Sequence, residues 1–325
     1  MGKTNLRIMN EDVKPLVSIC IPAYNGENYI CESINSALNQ SYPAIEIIVV
    51  NDGSTDRTLE LLNRYKGRIK VIDTVNRGQC AAANTAFKAA TGAYIKFMDA
   101  DDLISSNFIN SQIKKINDRK DAIVSAAWGR FYKDDLSTFR LNKESVWRDM
   151  KPIDWLVESL WDGPNMMQCA LWLIPREVLI ESGLWDERLS LINDFDFFIR
   201  VLLASKDVLF ADDAILYYRS GISNSLSKQK SRKANESAFL STQLGVETIM
   251  KYENSVRTRK ICADAFQLWK YQFYPNHMDL YLRSEEWIKQ LGGSEYLFDA
   301  GGKTRLLSKA LGWKMVKRIK NYLEF

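Results

Sequence analysis

The sequence lacks the cysteine pattern of a disulfide framework or a zinc site. Its five cysteines are an odd number, lie far apart and form no C-x-x-C pair. Scattered, unpaired cysteines of this kind are typical of a protein from a reducing compartment.

Long apolar runs and a strong charge imbalance are also missing. No stretch of about 18 consecutive apolar residues occurs, and residues 1–15 contain early basic residues without an apolar signal core. The net charge of +4 is too small to indicate nucleic-acid binding, and residues 1–220 contain no basic stripe interleaved with aromatic residues. We therefore expect a cytoplasmic protein without a spanning segment, a secretion signal or a nucleic-acid partner.

Strands and helices alternate in the first hundred residues. With 325 residues and 46% hydrophobic content, the chain can form one large domain and a smaller appendage. Short β-branched runs predict buried strands at Val17–Ile21, Ile45–Val50, Ile69–Ile72 and Tyr94–Met98, and helical patterns fill the gaps. This order predicts an α/β fold with a mostly parallel sheet, whose ligands bind at the carboxyl ends of the strands.

Three of these strands end in unusual polar segments. They are Pro22-Ala23-Tyr24-Asn25, Asn51-Asp52-Gly53-Ser54 and the acidic cluster Asp99 to Asp102. Carboxylates this close repel one another, so they stay ionised only when water, hydrogen-bond donors or a cation compensate their charge. The three segments are expected to meet at one edge of the sheet.

Two common nucleotide sites are excluded by their missing glycines. A dinucleotide-binding turn needs G-x-G-x-x-G after the first strand, where this chain has PAYNGEN. Gly302-Lys303-Thr304 resembles the end of a P-loop, but Leu297 occupies the position of its required first glycine. The remaining interpretation is a nucleoside diphosphate held with Mg²⁺ or Mn²⁺, because a D-x-D segment supplies hard oxygen ligands.

The ordered segments resemble the family 2 glycosyltransferases of the GT-A fold. The resemblance rests on VSICIPAYNGENYICESINSALNQSYPAIEIIVVNDGSTD and NRGQCAAANTAFKAATGAYIKFMDADD, and it covers about residues 16 to 220. It implies a Rossmann-like, mostly parallel sheet flanked by helices, and an inverting, metal-dependent sugar transfer.

The resemblance also implies roles for individual residues. The nucleotide-binding positions are Pro22, Ala23 and Tyr24 around the base and ribose, Asp52 toward the base, Asp99 and Ala100 on the ribose side, and Asp101 as ligand of Mn²⁺ or Mg²⁺. Asp194 corresponds to the proposed general base, and Trp185-Asp186-Glu187 to the adjoining acceptor-side loop. Two of these residues have alternative roles, because Asp52 favours turns and Asp194 could serve as the N-cap of the following helix.

Three departures from the family pattern leave a non-catalytic role open. Ala83 stands where relatives often have Arg, so Arg77 is the candidate replacement near the donor phosphates. Asn193 replaces the usual Glu, and no His follows Tyr217-Tyr218-Arg219. A nucleotide-binding or membrane-scaffold protein is therefore the alternative to an enzyme. A nucleotidyltransferase is disfavoured, because PAYNGEN is not the Gly-rich basic loop that such an enzyme requires.

The C-terminal part has a different character. The polar segment Ser223–Ser237 suggests a boundary, with a glycosyltransferase domain at residues 1–225 and a helical region at 226–325. From Lys303 onward the tail is basic, and Leu307, Leu311, Met315, Ile319 and Tyr322 share one face with Lys309, Lys314, Lys317 and Lys320 opposite. This tail is interpreted either as a contact for an anionic membrane, which would place the protein on the inner face, or as a helix packed on the domain.

We thus predict a glycosyltransferase that uses a nucleoside-diphosphate sugar, with UDP as the expected nucleotide. Its acceptor is expected to be a hydroxyl group of a carbohydrate or a lipid-linked intermediate in bacterial-type surface polysaccharide or glycolipid assembly.

Overall fold

The structure is a computed structural model that describes residues 14–161, 163, 167–222, 230–297 and 303–323. In chain order its strands and helices are β1 (Val17–Ala23), α1 (Ile30–Leu38), β2 (Ile45–Asp52), α2 (Thr58–Asn63), β3 (Lys70–Thr74), α3 (Gln79–Ala89), β4 (Tyr94–Phe97), β5 (Leu103–Ile104), α4 (Phe108–Ile116), β6 (Ala122–Tyr132), β7 (Asp135–Leu141), α5 (Pro152–Leu160), β8 (Ile174–Pro175), α6 (Arg176–Ser182), α7 (Asn193–Ala204), β9 (Asp207–Ser220), α8 (Arg232–Tyr252), α9 (Val256–Phe273), α10 (Met278–Gln290) and α11 (Lys303–Leu323). The predicted domain boundary at residue 225 lies outside the described residues.

A five-stranded sheet forms the centre of the molecule. Its order is β3-β2-β1-β4-β8, with the first four strands parallel and β8 antiparallel. The apolar runs of β1 and β4 are buried on both faces, which is the environment of a strand flanked by helices on both sides. The predicted mostly parallel α/β fold and its first four strands are confirmed.

A second, four-stranded sheet was not predicted from the sequence. Its order is β5-β9-β6-β7, and the long strand β9 pairs in parallel with β6 and antiparallel with β5. The register shifts where Ala126 pairs with Ala211 and Ala127 with Ile215, so residues 212–214 bulge out of β9. Asp212 and Asp213 lie in this bulge, which is why the sequence of β9 does not read as one strand.

The C-terminal helices share the hydrophobic core of the sheets. Helix α8 packs against α7, and α9 packs against α5. One continuous cluster of buried side chains includes Phe97 of β4, Phe198 of α7 and Phe266 of α9. Trp155, Trp172 and Trp185 are buried in the same cluster, so these tryptophans stabilise the core.

Helix α11 packs on the body of the protein by a face that differs from the predicted apolar stripe. Val316 is buried, and the Trp313 ring lies 4.7 Å from that of Tyr271 and 5.3 Å from that of Tyr274. Gly312 adopts φ 75° and ψ 150° and interrupts the helix, so the helical period is not continuous across it. The predicted stripe remains between 43% and 84% exposed; its members are Leu307, Leu311, Met315, Ile319 and Tyr322.

The basic residues of the tail are also placed differently from the prediction. Lys317 is half-buried rather than on a solvated face, and burial lowers its pKa to about 8. The Lys314 ammonium lies 5.0 Å from the Tyr281 ring centre, and the Arg318 guanidinium lies 5.5 Å from that of Tyr274. Among the described helices, none combines the length and apolar character needed to cross a bilayer.

Candidate active site

The ends of β1, β2 and β4 are neighbours in the central sheet. Ala23 pairs with Asn51 at the end of the β1–β2 ladder, and the Met98 N–H donates to the Cys20 carbonyl at 3.0 Å just beyond β4. The three polar segments therefore lie at one edge of the sheet, as predicted. Tyr24 is 52% exposed there, while Ala23 is buried, so Ala23 would line a nucleotide pocket through its backbone.

The loops after β1 and β2 are joined by reciprocal hydrogen bonds. The Asn25 N–H donates to Ser54 Oγ at 2.9 Å, and the Gly26 N–H donates to Thr58 Oγ1 at 2.8 Å. In return, the Thr55 N–H donates to Asn25 Oδ1 at 2.8 Å. Ser54 and Thr55 therefore connect the two loops. Neither is the N-cap of α2, whose N-cap residue is Arg57 and makes no side-chain cap bond.

Asp52 organises the loop that follows β3. Its carboxylate is 3% exposed and accepts hydrogen bonds from the backbone N–H groups of Arg77 and Gly78, each at 2.8 Å. A carboxylate has lone pairs beyond these two bonds, so it can still accept from a base. The role of Asp52 in reading the nucleotide stays a prediction, and the structure adds a loop-ordering role.

Asp99 and Asp101 lie in an environment that disfavours their ionised forms. Burial and the charge of Asp194 raise the pKa of Asp99 to about 6. Hydrogen bonds to this carboxyl group, including one of 2.9 Å from Gln79 Nε2, act in the opposite direction and lower the pKa. Burial and the charge of Asp99 raise the pKa of Asp101 to about 7. These carboxyl groups are therefore neither fully solvated nor fully compensated by donors.

Asp102, the third acidic residue, is fully buried. Its Oδ1 accepts from the backbone N–H of Arg219 at 2.9 Å, while its Oδ2 has no hydrogen-bond partner in the described protein. Burial and the charges of Asp101 and Asp99 raise its pKa well above the usual range. A buried oxygen without a donor, beside two further carboxyl groups, is an arrangement that a cation would stabilise.

The residues fit a divalent cation only with help from a ligand. Their donor atoms are carboxylate oxygens, which suit Mg²⁺ and Mn²⁺. Within the described ranges, however, no group of three or more His, Cys, Asp or Glu side chains is arranged to hold a metal ion. A cation at this turn would therefore take its other ligands from phosphate oxygens and water, as Mg²⁺ commonly does in nucleotide sites.

Asp194 lies in the first turn of α7, not at its N-cap. Helix α7 begins at Asn193, and the N-cap residue is Ile192 with φ 52°, so the alternative role of Asp194 as the N-cap is wrong. Burial raises the pKa of Asp194 to about 6 despite a hydrogen bond from the Phe195 N–H. A carboxyl group with this pKa can accept a proton near neutral pH.

A hydrogen-bonded chain connects α7 to the acidic turn. Asn193 Nδ2 donates to Gln79 Oε1 at 3.1 Å, and Gln79 donates in turn to Asp99. Asn193 also donates to the Cys80 sulfur at 3.2 Å. Asn193, which replaces the family's usual Glu, therefore connects the first turn of α7 to the start of α3 and, through Gln79, to Asp99.

Arg77 contacts the loop that contains Trp185, Asp186 and Glu187. Its Nη2 lies 2.6 Å from Glu187 Oε2, and the Arg77 side chain is 60% exposed. Asn84 Nδ2 donates to Glu187 Oε1 at 3.1 Å and to the Trp185 carbonyl at 2.9 Å. Arg77 thus lies beside Asp52 through its backbone and forms an ion pair with Glu187, and its role toward the donor phosphates stays a prediction.

Several contributors to this site were not found by sequence reasoning. Gln79 bonds Asp99, Cys169 lies beside the same carboxyl group, and Arg219 bonds Asp102. Gln79 and Cys169 carried no sequence signal, because amide and thiol side chains form no recognisable spacing here. Arg219 belonged to the Tyr-Tyr-Arg segment noted above, but its role becomes visible only when β9 is seen to pair with β5.

The chain is similar to known proteins in sequence and in structure. Residues 18–182 match the model of the family described as glycosyl transferase family 2. An uncharacterized glycosyltransferase of Rickettsia typhi is 37% identical over 213 residues, covering 63% of this chain and 64% of the relative. An uncharacterized glycosyltransferase of Rickettsia prowazekii is 36% identical over 210 residues, 62% of this chain and 63% of the relative. The chain thus spans less than two thirds of these relatives.

Solved structures share the fold at low sequence identity. Residues 1–349 of Staphylococcus aureus TarS in complex with UDP-GlcNAc superpose with a TM-score of 0.60 at 18% identity, covering 87% of this chain and 94% of that chain. The mannosyltransferase PcManGT of Pyrobaculum calidifontis in complex with GDP-Man and Mn²⁺ superposes with a TM-score of 0.55 at 16% identity, covering 96% of this chain and 84% of that chain. These likenesses confirm the GT-A type of fold. The family model matches residues 18–182, about half of the chain, and the chain therefore belongs to glycosyl transferase family 2.

Proposed function

We propose that this protein is an inverting glycosyltransferase that moves a sugar from a UDP-sugar to a hydroxyl acceptor. The observation that carries the proposal is the position of Asp194, whose pKa is raised to about 6 and whose charge acts on Asp99 at the acidic turn. The UDP-GlcNAc in the TarS complex supports a nucleoside-diphosphate sugar as donor, and the GDP-Man in the PcManGT complex supports the same class.

Asp194 is the proposed general base. It would accept the proton of the acceptor hydroxyl as that oxygen attacks the anomeric carbon and the nucleoside diphosphate leaves from the opposite face. One displacement driven by one base inverts the configuration of the sugar. Asp186 and Asp196 are weaker candidates, because their carboxylates are already paired with Arg188 at 2.5 Å and Arg200 at 2.8 Å.

The donor would be held by residues of the three strand ends. We propose that Pro22, Ala23, Tyr24 and Asp52 surround the base, and that Asp99 and Ala100 face the ribose. Asp101 would hold Mn²⁺ or Mg²⁺, which supplies positive charge to the leaving diphosphate when bound. Arg77 would offer a second positive charge to the same phosphates in exchange for Glu187.

The acceptor is proposed to be a carbohydrate or lipid-linked intermediate of bacterial-type surface polysaccharide or glycolipid assembly. Bacterial relatives support this context, since they include a chondroitin synthase of Pasteurella multocida that is 42% identical over 104 residues, 31% of this chain and 11% of the relative. We assign donor binding and catalysis to residues 1–225, and we assign residues 226–325 to a helical region that carries the tail.

We further propose that the tail binds an anionic membrane at the cytoplasmic face. The support is the exposed apolar stripe of α11, whose residues Met315 and Ile319 are 48% and 43% exposed. Positive charge lies beside it, because Lys314 and Arg318 are exposed on the same helix. An apolar face flanked by cations fits the interface of a bilayer that contains anionic lipids.

Release of nucleoside diphosphate tests the catalytic proposal. The protein should be incubated with UDP-, GDP-, dTDP- and CDP-sugars with Mn²⁺ or with a chelator, and thermal shifts with the free diphosphates would identify the base. A ligand at 100 times its Kd stabilises a protein by about 2.7 kcal/mol, which such a shift detects. Binding of a nucleotide without any release would favour the non-catalytic alternative.

Sedimentation with vesicles tests the membrane proposal separately. A Met315→Ser/Ile319→Ser double variant should sediment less than the wild type with phosphatidylserine-containing vesicles, and 0.5 M salt should weaken wild-type binding through screening. Leu282→Ser is a matched control, because this apolar residue is 53% exposed on α10. Equal sedimentation of the double variant and the wild type would refute the membrane contact.

A further inference from the structure

Arg219, the penultimate residue of β9, contacts the acidic turn from the side of the second sheet. Its Nε donates to the Asp101 carbonyl at 2.8 Å, and its backbone N–H donates to Asp102 Oδ1 at 2.9 Å. The side chain is only 1% exposed. One arginine thus binds two successive residues of the turn, and one of these is the proposed metal ligand.

The guanidinium group is fixed from all sides. Its Nη1 donates to Asp134 Oδ1 at 2.6 Å and its Nη2 to Glu32 Oε2 at 2.7 Å. The rings of Tyr29 and Phe131 each lie with their centres 4.7 Å from its central carbon. Each guanidinium nitrogen therefore donates a hydrogen bond, and the planar group contacts two aromatic rings.

These contacts connect elements that are distant in sequence. Glu32 belongs to α1, Asp134 to the β6–β7 turn, and Asp101 to the segment between β4 and β5. The Asp101–Asp102 turn lies between β4 and β5 and belongs to neither strand. The side-chain bond to the Asp101 carbonyl and the backbone bond to Asp102 therefore connect this turn to β9.

We propose that Arg219 is a positioning residue that holds the Asp101–Asp102 turn in the conformation that binds the divalent cation. It acts through the backbone of the turn and does not itself touch donor or acceptor. This inference rests on the proposed function, because it requires that Asp101 binds a metal together with the nucleotide. It assigns to the end of β9 a role in metal affinity.

Lysine cannot reproduce this arrangement. Its ammonium group is a compact charge without the planar fork that reaches the Asp101 carbonyl, Asp134 and Glu32 at once. Arg219→Lys keeps the positive charge and the backbone N–H bond to Asp102, but it should lose the side-chain bond to the Asp101 carbonyl. We expect Mn²⁺-dependent UDP binding to weaken at least about tenfold, while UDP binding without metal changes by less than about threefold.

Arg176→Lys is the matched control. Arg176 also donates to backbone carbonyls, those of Gly92 at 2.8 Å and Ala90 at 2.9 Å, and its guanidinium lies 5.0 Å from the ring centre of Phe87. These contacts lie before the start of β4, at the end opposite to the acidic turn. A general loss of packing would affect both variants, whereas loss of the positioned turn affects Arg219→Lys alone.

The measurement is calorimetric titration of UDP with and without Mn²⁺, together with the electron paramagnetic resonance signal of free Mn²⁺. If Mn²⁺ does not strengthen UDP binding to the wild type, the metal part of the proposed function fails. If Mn²⁺ strengthens UDP binding equally in the wild type and Arg219→Lys, the metal site stands and the role of Arg219 is overturned. If Arg219→Lys alone loses the Mn²⁺-dependent gain in UDP binding, the positioning role of Arg219 is supported.

A second variant keeps the test valid if Arg219→Lys does not fold. Glu32 and Asp134 are 57% and 56% exposed, so the Glu32→Gln/Asp134→Asn variant should fold. Asn is also well tolerated at the φ of 56° that Asp134 adopts. Because both changes loosen the guanidinium, Mn²⁺-dependent binding should weaken at least about threefold, and unchanged binding would overturn the inference.

Discussion

Replacing Asp194 by Asn should make the protein more stable and nearly inactive at the same time. The folded-state pKa of Asp194 is raised to about 6 from an ordinary value of 3.8. Between these two values the folded chain binds more protons than the unfolded chain, so this group lowers the free energy of unfolding as pH rises through the window. At about 1.36 kcal/mol per pKa unit, the loss above pH 6 is at most about 3 kcal/mol, an upper limit for a half-buried carboxyl group.

Asn cannot ionise, so this loss should disappear. In urea unfolding at pH 7, Asp194→Asn should therefore have a higher free energy of unfolding than the wild type. At about pH 3 the two proteins should be nearly equally stable, because Asp194 is then mostly protonated in both states. The gap in free energy of unfolding between the variant and the wild type, measured at both pH values, isolates the titration of this residue.

Activity should respond in the opposite direction. A general base contributes typically 10² to 10⁴ in rate, so transfer by Asp194→Asn should fall by at least about 100-fold while donor binding is retained. In the wild type, a base with a pKa of about 6 is ionised to about 90% at pH 7 and about 10% at pH 5. Release of nucleoside diphosphate should therefore slow about tenfold between these pH values.

Asp196→Asn is the matched control on the same helix. Asp196 is buried and bonds Arg200 at 2.8 Å, so its replacement should destabilise the protein and leave the rate within a few-fold. Transfer by Asp194→Asn within a few-fold of wild type would refute the assignment of the base. Lower stability of Asp194→Asn at pH 7 would refute the electrostatic reasoning instead.

Three further predictions follow from the site and the strand ends. Asp101→Asn should remove Mn²⁺-dependent nucleotide binding. It should also raise the melting temperature of the metal-free protein, because it relieves repulsion with the other carboxyl groups of the turn. Melting temperatures measured with nucleotide, with and without Mn²⁺, check both results. If Arg77 exchanges Glu187, its partner at 2.6 Å, for a donor phosphate, Arg77→Ala should raise the donor KM about tenfold and Glu187→Gln should not. Steady-state kinetics measures this, and equal KM values for the wild type and the two variants would contradict the exchange. Gly53→Ala should cost more stability in urea than Gly67→Ala, because both have positive φ but only at Gly53 would the new Cβ lie 2.6 Å from a backbone atom, the Asn76 nitrogen.

The central sheet was predictable because its strands carry their own signal. The runs VSICI and IEIIVV are β-branched, apolar and followed by polar turns, and these local features agree with the fold. Strand β9 was not predictable, because Asp212 and Asp213 interrupt its pattern at a bulge that only the pairing with β6 explains. Local sequence cannot show which distant strand completes a sheet.

The residues of the candidate site also fall into a group that the sequence could predict and a group that it could not. The residues at strand ends, such as Asp52 and Asp101, could be located because parallel strands place their carboxyl ends together. Partners such as Gln79 and Arg219 could not, since their contacts depend on tertiary structure alone. For the tail, the sequence did contain a signal for the break: Gly312 lies between Leu311 and Met315 of the predicted stripe, and a glycine inside a helical pattern permits the interruption that the structure has.

The hydrogen bonds between the loops after β1 and β2 have a thermodynamic consequence. Asn25, Gly26 and Glu27 have their backbone N–H groups fixed by Ser54, Thr58 and Asp56 before any nucleotide arrives. Ordering one residue of a free loop costs about 1–2 kcal/mol of conformational entropy at the moment of binding. In this protein that entropy is lost during folding, so the affinity of the proposed nucleotide pocket would not be reduced by the cost of ordering this loop.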